Sequence, residues 1–225
     1  MPCVTFYDLS ISKPPENSTT RRECPLLLKL GPILNQNQSL HNHRPDSQDP
    51  TLPLGLNSGE LRISTYRDEW PVLYESEQET IESAIGDHIV EIQHVGSTAI
   101  VGMPAKPILD IAIATGNFEK ASVCIAPLAA LGYTFKGENG IPRRHYFTKG
   151  EPCTHHIHMV EETSDEWAKL ILFRDYLRSD QRVADEYARL KSALLDRLAG
   201  DRVAYQAAKT EFIEEVLQKA RATRS

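Results

Sequence analysis

Cysteine is scarce and scattered: Cys3, Cys24, Cys124 and Cys153 are the 4 thiols in 225 residues, and no two form a C-x-x-C pair. That spacing gives neither a disulfide framework nor a zinc knuckle, and reduced thiols in a cytoplasmic protein are expected. A one-sided charge is missing too. The formal net charge is −6, with Lys and Arg spread along the chain, so nothing marks a partner such as duplex nucleic acid or an anionic membrane. A small local phosphate site stays permitted. The longest apolar stretch near the start, Pro25 to Leu34, contains Lys29 and falls short of the roughly 20 residues a bilayer span needs. No basic, apolar and small-residue succession opens the chain, so no secretory signal is expected, and Asp8, Glu16 and Glu23 argue against a mitochondrial presequence. The loops G-x-x-x-x-G-K-[ST], G-x-S-x-G and H-E-x-x-H are all absent, which removes support for the common kinase, hydrolase and zincin readings.

What is present divides unequally. From Asn35 to Gly59 the chain is dense in Asn, Gln, Ser, His, Asp and Pro. Such a segment cannot bury enough surface to offset its ordering entropy, so residues 1–60 read as a mostly disordered extension. Val4, Phe6 and Leu9, or Leu26 to Leu30, are its only candidates for short docked elements, and His41 and His43 read as solvated side chains. Residues 61–221 read as one folded domain.

Within that domain, Trp70, Leu73, Tyr74, Ile81 and Ile85 recur at helical spacing over Asp68 to Ile85, with Gly86 placed to end the helix. Ile89 to Val95 reads as a strand, and Pro107 to Ala114 as a second one buried on both faces. Phe118 to Leu131 is helical, kinked or restarted at Pro127. Three short strands, Tyr133–Lys136, Arg144–Thr148 and His155–Glu161, then alternate with Gly-rich turns as an antiparallel meander. The last third is helical. Thr163 and Glu166 form a candidate capping box, and stripes through Leu170 and Leu177, through Val183, Tyr187, Leu190 and Leu194 up to Gly200, and through Tyr205, Phe212 and Val216 mark successive helices. The fold class is α+β: a mixed, mostly antiparallel sheet flanked by helices.

The chemistry concentrates in His94 to Ile111. A strand ending in Gly96-Ser97 offers backbone N–H groups and a hydroxyl suited to a phosphate oxygen, and Lys106 stands just before the next strand. Asp110 is a carboxylate in a buried strand, costly unless paired or metal-bound; Arg143, Arg144 and Lys106 are its candidate ion-pair partners. Strand alternation puts His156 and His158 on one face, where two imidazoles suit zinc or manganese better than magnesium, or could move a proton. Arg143 and Arg144 could grip a phosphate, Glu161 is a weak further carboxylate, and Arg174 with Asp175 reads as an ion pair.

The run HVGSTAIVGMPAKPILDIAI resembles the signature of GrpB proteins, as do GENGIPRRHYFTKG, HHIHMVE and LFRDYLR, all in order across roughly residues 62–219. The resemblance implies the nucleotidyltransferase superfamily fold, in which a Gly-Ser turn grips a nucleotide triphosphate and carboxylates on neighbouring strands bind two divalent metals. Gly96 and Ser97 match the Gly-Ser element and Asp110 the first carboxylate. The second carboxylate position holds Ala112, a departure that would cripple ordinary two-metal transfer unless other residues substitute.

Three functions follow as expectations. The first is metal-dependent transfer of a nucleotidyl or phosphoryl group: Asp110, with His156 and His158, holds magnesium or manganese (zinc as a variant), Gly96, Ser97, Lys106 and Arg144 hold the phosphates, and Asp110 and His158 are the catalytic pair. The second is a degenerate module that binds a nucleotide or other phosphate-bearing small molecule without turnover. The third is a transition-metal hydrolase built on His156, His158 and Asp110.

Overall fold

The computed structural model describes residues 54–197 and 202–224. The expectations for residues 1–53 and for the helix end at Gly200 lie outside the described residues. The folded chain is already engaged at Leu56, which is buried and exchanges backbone hydrogen bonds with Cys153 of 3.0 and 2.8 Å. Gly55 also donates its N–H to the Pro107 carbonyl at 2.7 Å. Composition starts the domain at residue 61, five residues later, because it averages over the polar neighbours of one anchoring leucine.

Five strands form one mixed sheet in the order β1-β2-β5-β4-β3: β1 (Glu91–Val95), β2 (Leu109–Thr115), β3 (Tyr133–Phe135), β4 (His145–Lys149) and β5 (His155–Glu161). β2 and β5 run parallel, and the other three pairings are antiparallel. β2 therefore sits inside the sheet, and alternation along it separates two cores. Leu109, Ile111 and Ile113 pack with Trp70, Tyr74, Ile81 and Ile85 of α1 (Glu69–Ile85) and Leu128 of α2 (Ile125–Ala130). Ala112 and Ala114 face the opposite layer, built from α3 (Asp165–Ser179), α4 (Gln181–Arg197) and α5 (Arg202–Arg224). Asp110, His156 and His158 share that second face.

Local chemistry explains where boundaries move. α2 is shorter than the apolar spacing suggests: Lys120–Cys124 is a 3-10 turn, and the helix proper begins at Ile125. Pro127 is its third residue, where a missing N–H costs nothing because the first N–H groups of a helix have no internal partner. The cap of α3 is Ser164, not Thr163. Ser164 is extended (ψ 150°) and its Oγ accepts from the Trp167 N–H at 3.2 Å. Glu166 is thus freed from capping, and its largely buried carboxyl titrates higher than usual because burial disfavours its charge. Gly86 does end α1 but stays right-handed (φ −51°) and leads into a 3-10 turn. No described helix is long and apolar enough to cross a membrane.

The helical layer is held by aromatic contacts. Tyr187 of α4 stacks on Phe212 of α5 at 5.3 Å and meets Phe173 of α3 edge-on at 5.4 Å. Phe212→Ala should therefore cost roughly 3–5 kcal/mol, as large-to-small core changes do, read as a lower midpoint in urea unfolding.

Candidate functional site

Gly96 follows β1 directly, and Val95 pairs with Asp110 across the β1–β2 ladder. Its φ is +71°, a region that side chains disfavour. A Cβ at this position would lie 2.5 Å from Asp110 Oδ2 and 3.0 Å from Asp110 Cβ. Glycine is required twice over, for backbone conformation and for the space the carboxylate occupies. Ser97–Ala99 then forms a tight 3-10 turn with all three side chains buried.

Neighbours fix this turn from several sides. His94 Nε2 lies 3.0 Å from Thr98 Oγ1, and its ring stacks on Tyr74 at 4.5 Å. Burial pushes the His94 imidazole down to about 4, more than the Asp110 charge restores. From α3, Arg178 donates twice to the Ala99 carbonyl, at 3.0 and 2.7 Å, and Arg174 donates to the His94 carbonyl at 2.9 Å.

Asp110 is paired with histidine, not with the arginines or Lys106 proposed from sequence. Its Oδ1 is 3.0 Å from His156 Nδ1 and 3.4 Å from His158 Nε2. Burial opposes its ionisation, but these two hydrogen bonds prevail and hold the carboxyl well below the usual carboxylate range. The tautomer of His158 follows from its other nitrogen. Nδ1 faces Arg144 Nη1 at 3.4 Å, and a guanidinium can only donate, so Nδ1 accepts and Nε2 carries the proton given to Asp110. Burial and Arg144 push this imidazole down to about 4, so it stays neutral.

Arg144 is wholly buried, donates to the Glu138 and Asn139 carbonyls and lies over the Tyr146 ring. It stands behind His158, with Nη1 3.4 Å from His158 Nδ1. Arg143 pairs with both Glu161 and Glu119 at the other end of β5, away from Asp110. Arg174 does pair with Asp175, at 2.8 Å.

The helices supply what the sequence reading passed over. Lys191 of α4, 3% exposed, donates to Ser97 Oγ at 3.1 Å and to the Pro104 carbonyl. Lys209 of α5, 4% exposed, lies over the Tyr205 ring at 4.7 Å, and Lys106 approaches the same ring at 5.4 Å. Burial lowers Lys191 to about 7. Lys209 falls well below the usual lysine value through burial first, then repulsion from Lys106 and Lys191, with Asp110 opposing. The signal was available: Tyr187/Lys191 and Tyr205/Lys209 repeat one i, i+4 pattern that sets a cation on an apolar stripe.

The residues do not fit the metal expected from sequence. Asp110 Oδ1 is shared between two imidazoles, both ring nitrogens of His158 are engaged, and Ala112, two residues on along the same face of β2, offers no ligand atom in its side chain. Among the described residues no group of three or more His, Cys, Asp and Glu side chains is arranged to hold a metal ion. In this structure His156 and His158 stand as hydrogen-bond partners of the Asp110 carboxylate.

A family model described as GrpB protein matches residues 60–219. Glutamate-rich protein GrpB of Alkalihalophilus pseudofirmus is 33% identical over 172 residues, 74% of this chain and 99% of that protein. UPF0157 protein YqkA of Bacillus subtilis is 38% identical over 162 residues, 72% of this chain but 47% of YqkA, so the chain spans about half of that relative. The crystal structure of GrpB from Enterococcus faecalis superimposes with a TM-score of 0.65 at 28% identity, covering 70% of this chain and 96% of that one.

Two outcomes test this geometry. Gly96→Ala and Gly102→Ala both force a side chain to positive φ, but a Cβ at Gly102 meets nothing within 4 Å. Gly102→Ala should cost about 1–2 kcal/mol and Gly96→Ala roughly 3 kcal/mol or more in chemical denaturation; equal losses would contradict the crowding against Asp110. The second concerns pH. His94, His155 and His158 all titrate near 4 when folded, below the ordinary 6.5. As pH falls through 6.5 the unfolded chain takes up protons that the folded one refuses. Stability should drop between pH 6.5 and 4, by up to about 1.4 kcal/mol per pH unit per histidine, with Asp110 adding to the loss only at lower pH. Urea midpoints at pH 7 and 5 measure it.

Proposed function

The chain belongs to the GrpB family, and we propose that it binds a phosphate-bearing small molecule, a nucleotide in the first instance, at the Gly96-Ser97-Thr98 turn. The observation that carries this reading is the 3.1 Å hydrogen bond between buried Lys191 and the Ser97 hydroxyl. An ammonium group taken out of water needs an acceptor, and Ser97 and the Pro104 carbonyl are neutral. A phosphate oxygen beside Ser97 would supply the missing opposite charge and strengthen both contacts. Gly96 gives the turn its close approach to β2, Lys106 and Lys209 add positive charge, and Asp110 keeps His156 and His158 in fixed orientation. Nucleotide is the named class because the HVGSTAIVGMPAKPILDIAI run resembles an element that grips nucleotides in the nucleotidyltransferase superfamily.

One observation favours turnover as a second reading. Asp110 accepts from His156 Nδ1 at 3.0 Å, which leaves the lone pair of a neutral His156 ring on Nε2. In that position His156 would take the proton of an acceptor hydroxyl as its oxygen attacks phosphorus. The bond to the leaving phosphate then breaks, and the lysines receive the charge that develops. Asp110 would orient the base without exchanging a proton itself, and His158 would hold Asp110.

ATP, ADP and AMP at about a hundredfold excess over Kd should raise Tm by roughly 5–10 °C for a domain of this size. Lys191→Met should remove most of the rise, and a full shift in that variant would overturn the site. If labelled ATP is turned over, His156→Gln should lower kcat by about 10²-fold or more while leaving KM nearly unchanged.

A further inference from the structure

Resting on that phosphate-site reading, we infer that the ligand is a polyphosphate, a diphosphate or longer chain, whose charge is met by Lys106, Lys191 and Lys209 without a divalent ion. Among the described residues no group of carboxylates and imidazoles is arranged to hold such an ion: Ala112 follows Asp110 on the same face of β2, and Asp110 is committed to His156 and His158. The cations lie on the same face of the sheet instead. They come from three separate segments, the β1–β2 connection, α4 and α5, and converge with no shared helix face to explain the grouping.

The arrangement has two anchor points. One is Lys191 at the Ser97 hydroxyl. The other is the Tyr205 ring, against which Lys106 and Lys209 both lie, at 5.4 and 4.7 Å. Two anchors call for more than one phosphoryl group, which a chain of linked phosphates supplies and a lone phosphate does not. Burial first, and then repulsion from Lys106 and Lys191, disfavours the charged form of Lys209. A purely structural pair of core positions would be filled better by apolar side chains of similar volume. A chain of negative charge relieves burial and repulsion together. Magnesium already bound to the polyphosphate would compete with the lysines for the same oxygens.

Titration calorimetry with inorganic phosphate, pyrophosphate and tripolyphosphate, each in EDTA and in excess magnesium, tests this. Pyrophosphate and tripolyphosphate should bind at least about tenfold tighter than phosphate, the worth of one added charge-assisted contact, and magnesium should leave affinity unchanged or weaken it. Tighter binding only with magnesium, or equal affinity for phosphate and pyrophosphate, would overturn the inference while leaving the phosphate site intact. No binding by any of the three would overturn the site itself. Lys209→Met separates ligand binding from architecture: it should weaken tripolyphosphate by about tenfold or more with Tm unchanged or higher. A fall in Tm with affinity retained would assign Lys209 to packing. Lys106→Gln, on a half-buried side chain, repeats the affinity test where folding is least at stake.

Discussion

A carboxylate on a strand covered by helices has to be matched by donors, and the matching of Asp110 organises much of this protein. Its Oδ1 receives two imidazoles from β5, and its Oδ2 fills the volume that a Cβ on residue 96 would need. Those two demands fix the register of β5 beside β2 and the identity of Gly96. They also bring Arg144 inside, since His158 needs something behind it that can only donate. A charge costly to bury thus specifies orientation over a wide area, in keeping with buried polar networks that are fully satisfied.

The α+β class and the position of every strand were legible because alternation and apolar runs are local signals. β5 matches its expected limits, His155–Glu161, while β1 begins two residues later than Ile89. The shared face of Asp110, His156 and His158 also follows from alternation. Partnership does not. Nothing local says that Arg144 turns inward, because its acceptors are the Glu138 and Asn139 carbonyls of a loop whose path is set by tertiary packing. Lys191 and Lys209 were hidden differently: each interrupts an apolar stripe that reads as core without them, and only assembly reveals that both stripes meet the same end of the sheet.

The GrpB match and the superposition on the Enterococcus faecalis structure place this architecture in its family. One face of the sheet combines a strand carboxylate held by imidazoles with buried lysines brought from helices. The balance suits recognition of an anion by ammonium groups. It does not suit the coordination chemistry that two carboxylates would support.

Ser97 and Asp110 belong to the sheet, whereas Lys191 and Lys209 belong to helices that lie across it. An anion bound there as proposed would touch both layers at once. Occupancy and the closeness of the helical layer would then be one equilibrium seen from two sides, each reporting on the other. In that reading the C-terminal third is half of the grip as well as a cover for the sheet.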